Sequence, residues 1–115
     1  MPNMTIYKLG DVILVPFPFT DQSTIKQRPA IVISSDRHDQ SKIDLIIIAV
    51  TSQVPKTLQF GETTIENWSE AGLLKPSIIK PVITTIEKNL VIKKLGELQP
   101  LDLQSLTNNL QHTIG

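Results

Sequence analysis

The chain contains no cysteine. That excludes a disulfide framework, thiol catalysis and Cys-ligated zinc, and it fits a reducing compartment. Histidine is nearly as scarce, with only His38 and His112, and no H-x-x-x-H spacing pairs them. Tyr7, Phe17, Phe19, Phe60 and Trp68 are the whole aromatic stock. Neither sign of charge prevails: eleven Lys+Arg balance eleven Asp+Glu. A binder held to nucleic acid by global positive charge is therefore excluded, and any such contact must be a local patch. Long hydrophobic runs are also missing. The longest, Leu45–Val50, falls far short of the roughly 20 residues of a spanning helix. The opening Met-Pro-Asn-Met-Thr has neither a basic nor an apolar export region, so the expected location is cytoplasmic. No G-x-S-x-G elbow, P-loop or G-x-G-x-x-G occurs.

What is present suits one small β-rich domain spanning residues 1–115. The hydrophobic fraction of 40% is skewed to Ile and Val, and alanine appears only at 30, 49 and 71. β-branched side chains favour a pleated, half-buried surface and are mediocre in helices. Short runs of them lie between Pro, Gly, Asn and Asp, the pattern of a small barrel or sandwich. Strands are expected at Val12–Val15, interrupted by Pro16 and Pro18, and at Pro29–Ser34. A third, at Asp44–Thr51, is apolar enough to be buried on both faces. Thr20–Gln27 reads as a loop and Gly61–Ile65 as an edge strand. Ser77–Lys80 and Val82–Ile86 read as two segments divided by Pro81, and Val91–Leu95 with Gly96–Leu98 as a last strand. Pro100 suits a first helical turn, and Leu103, Leu106 and Leu110 recur at i, i+3, i+7. The expected architecture is a β-rich barrel closed by a C-terminal helix.

Candidate chemistry gathers at strand ends. Arg28 stands where the first long loop enters the second strand, held by Pro29 behind it, although a lone arginine is more often a solubilising charge. Thr51-Ser52-Gln53 ends the most apolar strand and places hydroxyl and amide groups on a rigid rim; such hydroxyls commonly satisfy local backbone instead. A guanidinium fork beside hydroxyl and amide groups is also what phosphate recognition demands. From Lys75 to Lys94 the chain carries Lys75, Lys80, Lys88, Lys93 and Lys94 against Glu87 alone, either a solvated face or a phosphate-facing surface. Phe17 and Phe19 are open to base stacking or to core packing. Asp36, Asp39 and Asp44 offer ligands for a hard cation, but an acidic turn-capping loop is the plainer reading. Acid–base catalysis by His38 and His112 would require the frayed end of the last helix to meet the loop.

Taken together, the segments carry a resemblance. Gly10-Asp11-Val12-Ile13-Leu14-Val15-Pro16-Phe17-Pro18-Phe19-Thr20-Asp21 resembles the opening of MazF/PemK-family toxins, and Arg28-Pro29-Ala30-Ile31-Val32-Ile33-Ser34 continues it. Ala49-Val50-Thr51-Ser52-Gln53, Gly72-Leu73-Leu74-Lys75-Pro76-Ser77 and Lys94-Leu95-Gly96-Glu97-Leu98 follow in order, so that the likeness runs from Gly10 to about Leu110. Each piece alone is weak; five in order are specific.

The resemblance implies a Src-homology-3-like barrel of the PemK/CcdB plasmid-maintenance toxin type, with a C-terminal helix. It implies a homodimeric toxin of a type II toxin–antitoxin system that cuts single-stranded RNA, usually mRNA, and so inhibits growth. No metal or other cofactor is expected. The implied chemistry is attack of the ribose 2′-OH on the adjacent phosphate. Arg28 matches the family's catalytic arginine and Thr51 its catalytic threonine; Thr20, Lys26, Ser52, Gln53 and Lys80 are the expected substrate-binding residues. The expected protein partner is a MazE-like antitoxin whose acidic tail would lie across the RNA groove. One departure stands out: where many relatives carry a basic residue followed two places later by Asp, Lys80-Pro81-Val82 supplies the base without the acid. That motivates a second reading, a dimeric antitoxin- or nucleic-acid-binding module with weakened catalysis. A third, the related gyrase-poisoning toxin, should lack the Arg-Pro and Thr-Ser-Gln pair.

Overall fold

The computed structural model describes residues 6–18, 25–34 and 44–114. Six strands form one curled antiparallel sheet: β1 (Asp11–Pro18), β2 (Ile25–Val32), β3 (Asp44–Thr51), β4 (Thr63–Thr64), β5 (Ile78–Glu87) and β6 (Lys93–Glu97). The order across the sheet is β4-β5-β3-β2-β1-β6, and helix α1 (Pro100–Ile114) follows. The β-rich half-barrel with a C-terminal helix is the architecture expected from the β-branched runs and the leucine spacing.

β3 takes the expected bounds and serves both sides of the sheet. Ile48 and Val50 join one core cluster with Val12, Ile31, Ile79 and Leu106, while Leu45 and Ile47 join another with Ile13, Val15, Ala30 and Val32. The period-two alternation of a strand sends neighbouring side chains to opposite faces, so both faces must be covered. α1 covers the first through Leu106, which is fully buried, flanked by half-buried Leu103 and Leu110. Each fully buried Ile or Leu contributes about 1.5–3 kcal/mol relative to exposure. Double burial does not reach the strand's start, where Ile46 remains 44% exposed.

The prolines were the poorest guides. β1 continues through Pro16 and Pro18, because its pairing with β6 ends at Leu14 and leaves one edge open beyond it. A missing N–H there breaks no ladder. β5 likewise runs unbroken through Pro81. Its register against β3 slips between Ile48↔Ile83 and Val50↔Ile79, so the proline falls in a bulge on the side where β4 reaches only Ile78 and Ile79. β2 begins at Ile25, earlier than expected, and takes Ile25–Gln27 out of the predicted loop. The expected last strand starts late, because a single 3-10 turn, Lys88–Leu90, precedes it.

Two backbone devices close the structure. Gly72, at φ +92°, and Gly96 on β6 face each other so closely that a Cβ on Gly72 would strike the Leu95 carbonyl, and one on Gly96 the Ala71 carbonyl. Asp102, 1% exposed in the first turn of α1, accepts hydrogen bonds from the Glu66 and Asn67 backbone N–H groups, both at 2.8 Å. A carboxylate is favoured at that end of a helix by the dipole.

A charged clasp joins β1 to β6. The Asp11 side chain is 1% exposed; its Oδ2 accepts from the Lys8 N–H at 2.9 Å, and its Oδ1 faces Lys94 Nζ at 3.3 Å. Oδ1 has no well-aligned hydrogen bond, so the nearby ammonium neutralises it by charge rather than by a directed bond. Lys94 also meets Glu97 at 3.1 Å, and Lys8 lies 3.6 Å from Glu97. The hydrogen bond and charge of Lys94, with the charge of Lys8, hold Glu97 below its ordinary 4.5. Partial burial pulls Lys94 down, but its hydrogen bond to Glu97 and the negative charges of Asp11 and Glu97 outweigh that and hold it above 10.5.

Two predictions follow from these contacts. Asp102→Ala strands two backbone N–H groups and is expected to cost about 2–4 kcal/mol, read as a lowered unfolding midpoint in urea. The clasp's contribution is complete above Glu97's unfolded-state value and is lost as pH falls through its depressed folded value; the Lys94 contribution is complete below 10.5 and lost at higher pH. The stability difference between wild type and Glu97→Gln is therefore expected to be small and flat around neutrality and to shrink below pH 4.5. Thermal unfolding at a series of pH values checks it; a difference that grows in acid would contradict the clasp.

Candidate active site

The site is built where β2 and β3 run out to one rim. Ala30 and Ala49 are the last paired residues of these antiparallel strands. Arg28 and Thr51 each lie two residues beyond that pair, toward the same end of the sheet. On its other side Arg28 is registered against Val15 of β1, so the arginine is carried by the middle of a sheet rather than by a loop. Both side chains are half-buried.

The end of β3 is locked by its own sequence. Thr51 Oγ1 accepts the Gln53 backbone N–H at 3.1 Å, which turns the chain out of the strand. Since a hydroxyl has one proton and two lone pairs, this bond fixes the oxygen and leaves the Thr51 proton to donate elsewhere. Ser52 and Gln53 are exposed beyond it.

A cavity of about 470 Å³ opens at this rim. Leu14, Pro29, Val50, Leu73 and Leu95 make its apolar floor, with the Gly72 backbone beside them. Lys75 and Lys93 bring two cations to the lining, Ser52 and Ser77 two hydroxyls, and Leu74 an apolar lip, while Arg28 borders it from β2 with its side chain set by alternation on the face of Val15 and Ala30. Among the described residues no carboxylate lines it. Ser77 Oγ is committed to the Lys75 carbonyl at 2.8 Å and so shapes the wall. Such a cleft, mostly apolar with a few convergent polar groups, fits the ordinary small-ligand range of roughly 300–1,000 Å³.

The expected site residues divide between places. Arg28 and Ser52 line the cavity, with Thr51 adjoining Ser52 in the chain. Gln53 is tied to Thr51 through its backbone. Lys26 is exposed on β2, two residues outward from Arg28. Lys80 stands elsewhere: its Nζ is 3.3 Å from Glu62 Oε2, a carboxylate only 5% exposed, and it does not line the cavity. The acid missing from Lys80-Pro81-Val82 is thus matched by one from the β3–β4 connection. Thr20, Phe19, Asp36, His38 and Asp39 lie outside the described residues, as do the side chains of Phe17 and His112. Asp44 is exposed opposite Glu87.

The lysine-rich segment also separates. Lys94 belongs to the clasp and Lys80 to Glu62, whereas Lys75 and Lys93 line the cavity. Sequence reasoning found the run and did not single out those two. The alternation of Lys93 with Leu95, two residues on along β6, is the signal that sets both on one face. Among the described residues no cluster of three His, Cys, Asp or Glu could hold a metal ion, and no helix is long and apolar enough to cross a membrane.

Comparison with known proteins agrees with this geometry. An endoribonuclease in complex with its cognate antitoxin, from a mycobacterial species, superposes with a TM-score of 0.75 at 15% identity over 94% of this chain and 94% of that one. MazE–MazF from Deinococcus radiodurans gives 0.75 at 15%, over 96% and 98%. The Mycobacterium tuberculosis toxin MazF-mt6 gives 0.67 at 15%, over 87% and 93%. At such identities the likeness is one of fold. A search of curated proteins found no significant sequence match. The family model described as PemK-like, MazF-like toxin of type II toxin-antitoxin system matches residues 8–114. Nearly the whole chain, with Arg28, Thr51 and the cavity inside the matched span, belongs to that family.

Proposed function

We propose that the protein is the toxin of a toxin–antitoxin pair and acts as an endoribonuclease on single-stranded RNA, mRNA above all, in the cytoplasm. The observation that carries this reading is the register that sets Arg28 and Thr51 each two residues beyond the Ala30–Ala49 pair at one end of the sheet, beside a cavity lined by Lys75, Lys93 and Ser52. The structural neighbours described as endoribonucleases support it.

The reaction is a transesterification. The ribose 2′-oxygen bonds to the adjacent phosphorus, the bond from phosphorus to the 5′-oxygen breaks, and a 2′,3′-cyclic phosphate and a 5′-OH result. One proton leaves the 2′-OH and one arrives at the 5′-oxygen. Charge accumulates on the non-bridging oxygens in between, and a guanidinium held on a sheet meets it without reorganisation. A guanidinium is a poor proton acceptor, so the part proposed for Arg28 is charge stabilisation and donation of hydrogen bonds. The Thr51 hydroxyl, oriented by the Gln53 N–H, donates to the scissile phosphate or positions the 2′-OH. Ser52, Gln53, Lys26 and Thr20 are the proposed strand-positioning groups. No step in this scheme calls for a metal or another cofactor.

The active form is proposed to be a homodimer restrained by a MazE-like antitoxin. The neighbours solved with an antitoxin support that partner.

The test is cleavage of a long, defined single-stranded RNA in EDTA, with sequencing of the cut ends. Discrete cuts with 5′-OH ends are expected, falling by about 10²–10³ in rate for Arg28→Ala. Thr51→Ala is expected to fall in the same direction. Several unrelated RNAs surviving the folded dimer would sink the enzyme reading and leave the binding module in its place.

A further inference from the structure

The rim of Arg28 and Thr51 has a charged neighbour outside the cavity. Arg28 and Thr51 each lie two residues from the opposed alanines Ala30 and Ala49, so alternation sets both side chains on one face. Ile78 of β5 opposes Thr51 and belongs to that face, whereas Ile79 opposes Val50 and packs with it in a core cluster. β4 continues the pattern. Thr63 opposes Ile79, Thr64 opposes Ile78, and Ile65 returns to the cluster of Val50 and Ile79. Carried one residue back, the alternation puts Glu62 with Thr64 and Ile78, on the face of Thr51 and Arg28. The ion pair with Lys80, 3.3 Å from Nζ to Oε2, brings the ammonium there too.

This pair is built unlike a solvated salt bridge. The Glu62 side chain is 5% exposed and that of Lys80 44%. A carboxylate so buried needs partners, and both of its oxygens have one, since Oε1 accepts the Gln59 N–H at 2.7 Å. The backbone beside it is held as firmly. Gly61 adopts φ +86° against the Pro81 ring, with no room for a Cβ, and its carbonyl accepts Asn109 Nδ2 of α1 at 2.7 Å. The acid is the fixed member, and the long lysine side chain is fastened to it with its head open to solvent. An ammonium can donate three hydrogen bonds, so the ion pair leaves it able to meet a second anion.

We propose that Glu62 is a positioning residue for the ribonuclease: it aims Lys80 at a phosphate of the RNA strand flanking the one attacked at Arg28 and Thr51. This rests on the ribonuclease reading above. Only β3 separates β5 from β2, which sets their backbones about 10 Å apart, within reach of neighbouring phosphates for two long cationic side chains. The pairing also fixes the sign of an unaccompanied Glu62. Without Lys80, its carboxylate would face the RNA and repel it.

The experiment measures kcat and KM for cleavage of a defined single-stranded RNA across a salt series. Binding of a 2′-fluoro RNA, which cannot be cut, is measured beside them. Lys80→Gln is expected to weaken binding and raise KM roughly three- to tenfold, with kcat nearly unchanged and the salt slope lower by about 0.7, as for one contact to a phosphate that does not react. Glu62→Gln is expected to shift KM the same way by a smaller factor, and Glu62→Asp, which keeps the charge, to restore part of it. The double variant Lys80→Gln/Glu62→Gln decides the matter: it is expected to bind RNA better than Lys80→Gln alone, because the repelling carboxylate is gone. A merely structural Glu62 would instead lower the thermal unfolding midpoint and add its effect to that of Lys80→Gln, which would overturn the proposal. Unchanged KM and salt slope in Lys80→Gln would overturn it too, while leaving ribonuclease activity standing. Wild type that cuts no RNA, yet shows the same order of 2′-fluoro RNA affinities among the variants, would keep the phosphate grip and remove the enzyme.

Discussion

The close backbone approach of Gly72 and Gly96 is the constraint on which the site depends. A curled sheet has two ends, and here the edge strand β6 meets the segment following β4, at the other end of the strand order, with no side chain between them. Neither position has room for a Cβ. Because Leu73, Leu74 and Lys75 follow Gly72, and Lys93 and Leu95 precede Gly96, the same contact brings the two cavity walls into register. Separating the segments by even a methyl group would open the cavity. The clasp of Asp11, Lys94 and Glu97 supports the contact from the β1 side, and Asp102 supports it from the helix by holding the chain at Glu66 and Asn67.

Against this closed rim the sheet supplies rigidity where the proposed reaction would use it. Arg28 and Thr51 extend from Ala30 and Ala49, and Ala30, Ile31, Ile48 and Val50 nearby are all almost wholly buried. Side chains carried on paired strands hold position better than those on loops, and charge stabilisation in a transition state rewards such preorganisation. The Thr51–Gln53 turn then releases the chain to solvent within two residues, so the strand delivers its hydroxyls to the surface without exposing its apolar body.

Much of the fold was legible because it rests on local periodicity. β3 and α1 emerged with their expected bounds or starting residue, since an unbroken β-branched run and an i, i+3, i+7 leucine stripe have few other uses. The prolines misled because their effect depends on whether a neighbour pairs at that edge, which no local pattern contains. Arg28 and Thr51 stood out through the family resemblance and their place at strand ends. The partition of the lysines was not legible: the run from Lys75 to Lys94 looks uniform in sequence, and only the tertiary structure sends Lys80 to Glu62 and Lys94 to Asp11. The partner of Lys80 lies eighteen residues upstream in the chain, beyond any motif spacing.

That partition explains how a chain with no net charge can present an anion site. Its acids are not spread evenly among its bases. Asp11, Glu62 and Glu97 are each bound to lysines away from the cavity, so those lysines add little to its potential. Lys75 and Lys93 belong to a lining that, among the described residues, holds no carboxylate and lies over an apolar floor, where low polarizability strengthens their field. With a screening length of about 8 Å at physiological ionic strength, this local arrangement governs what the cavity attracts, and the molecular net charge does not. The zero net charge of the whole chain weakens long-range attraction to nucleic acid at large.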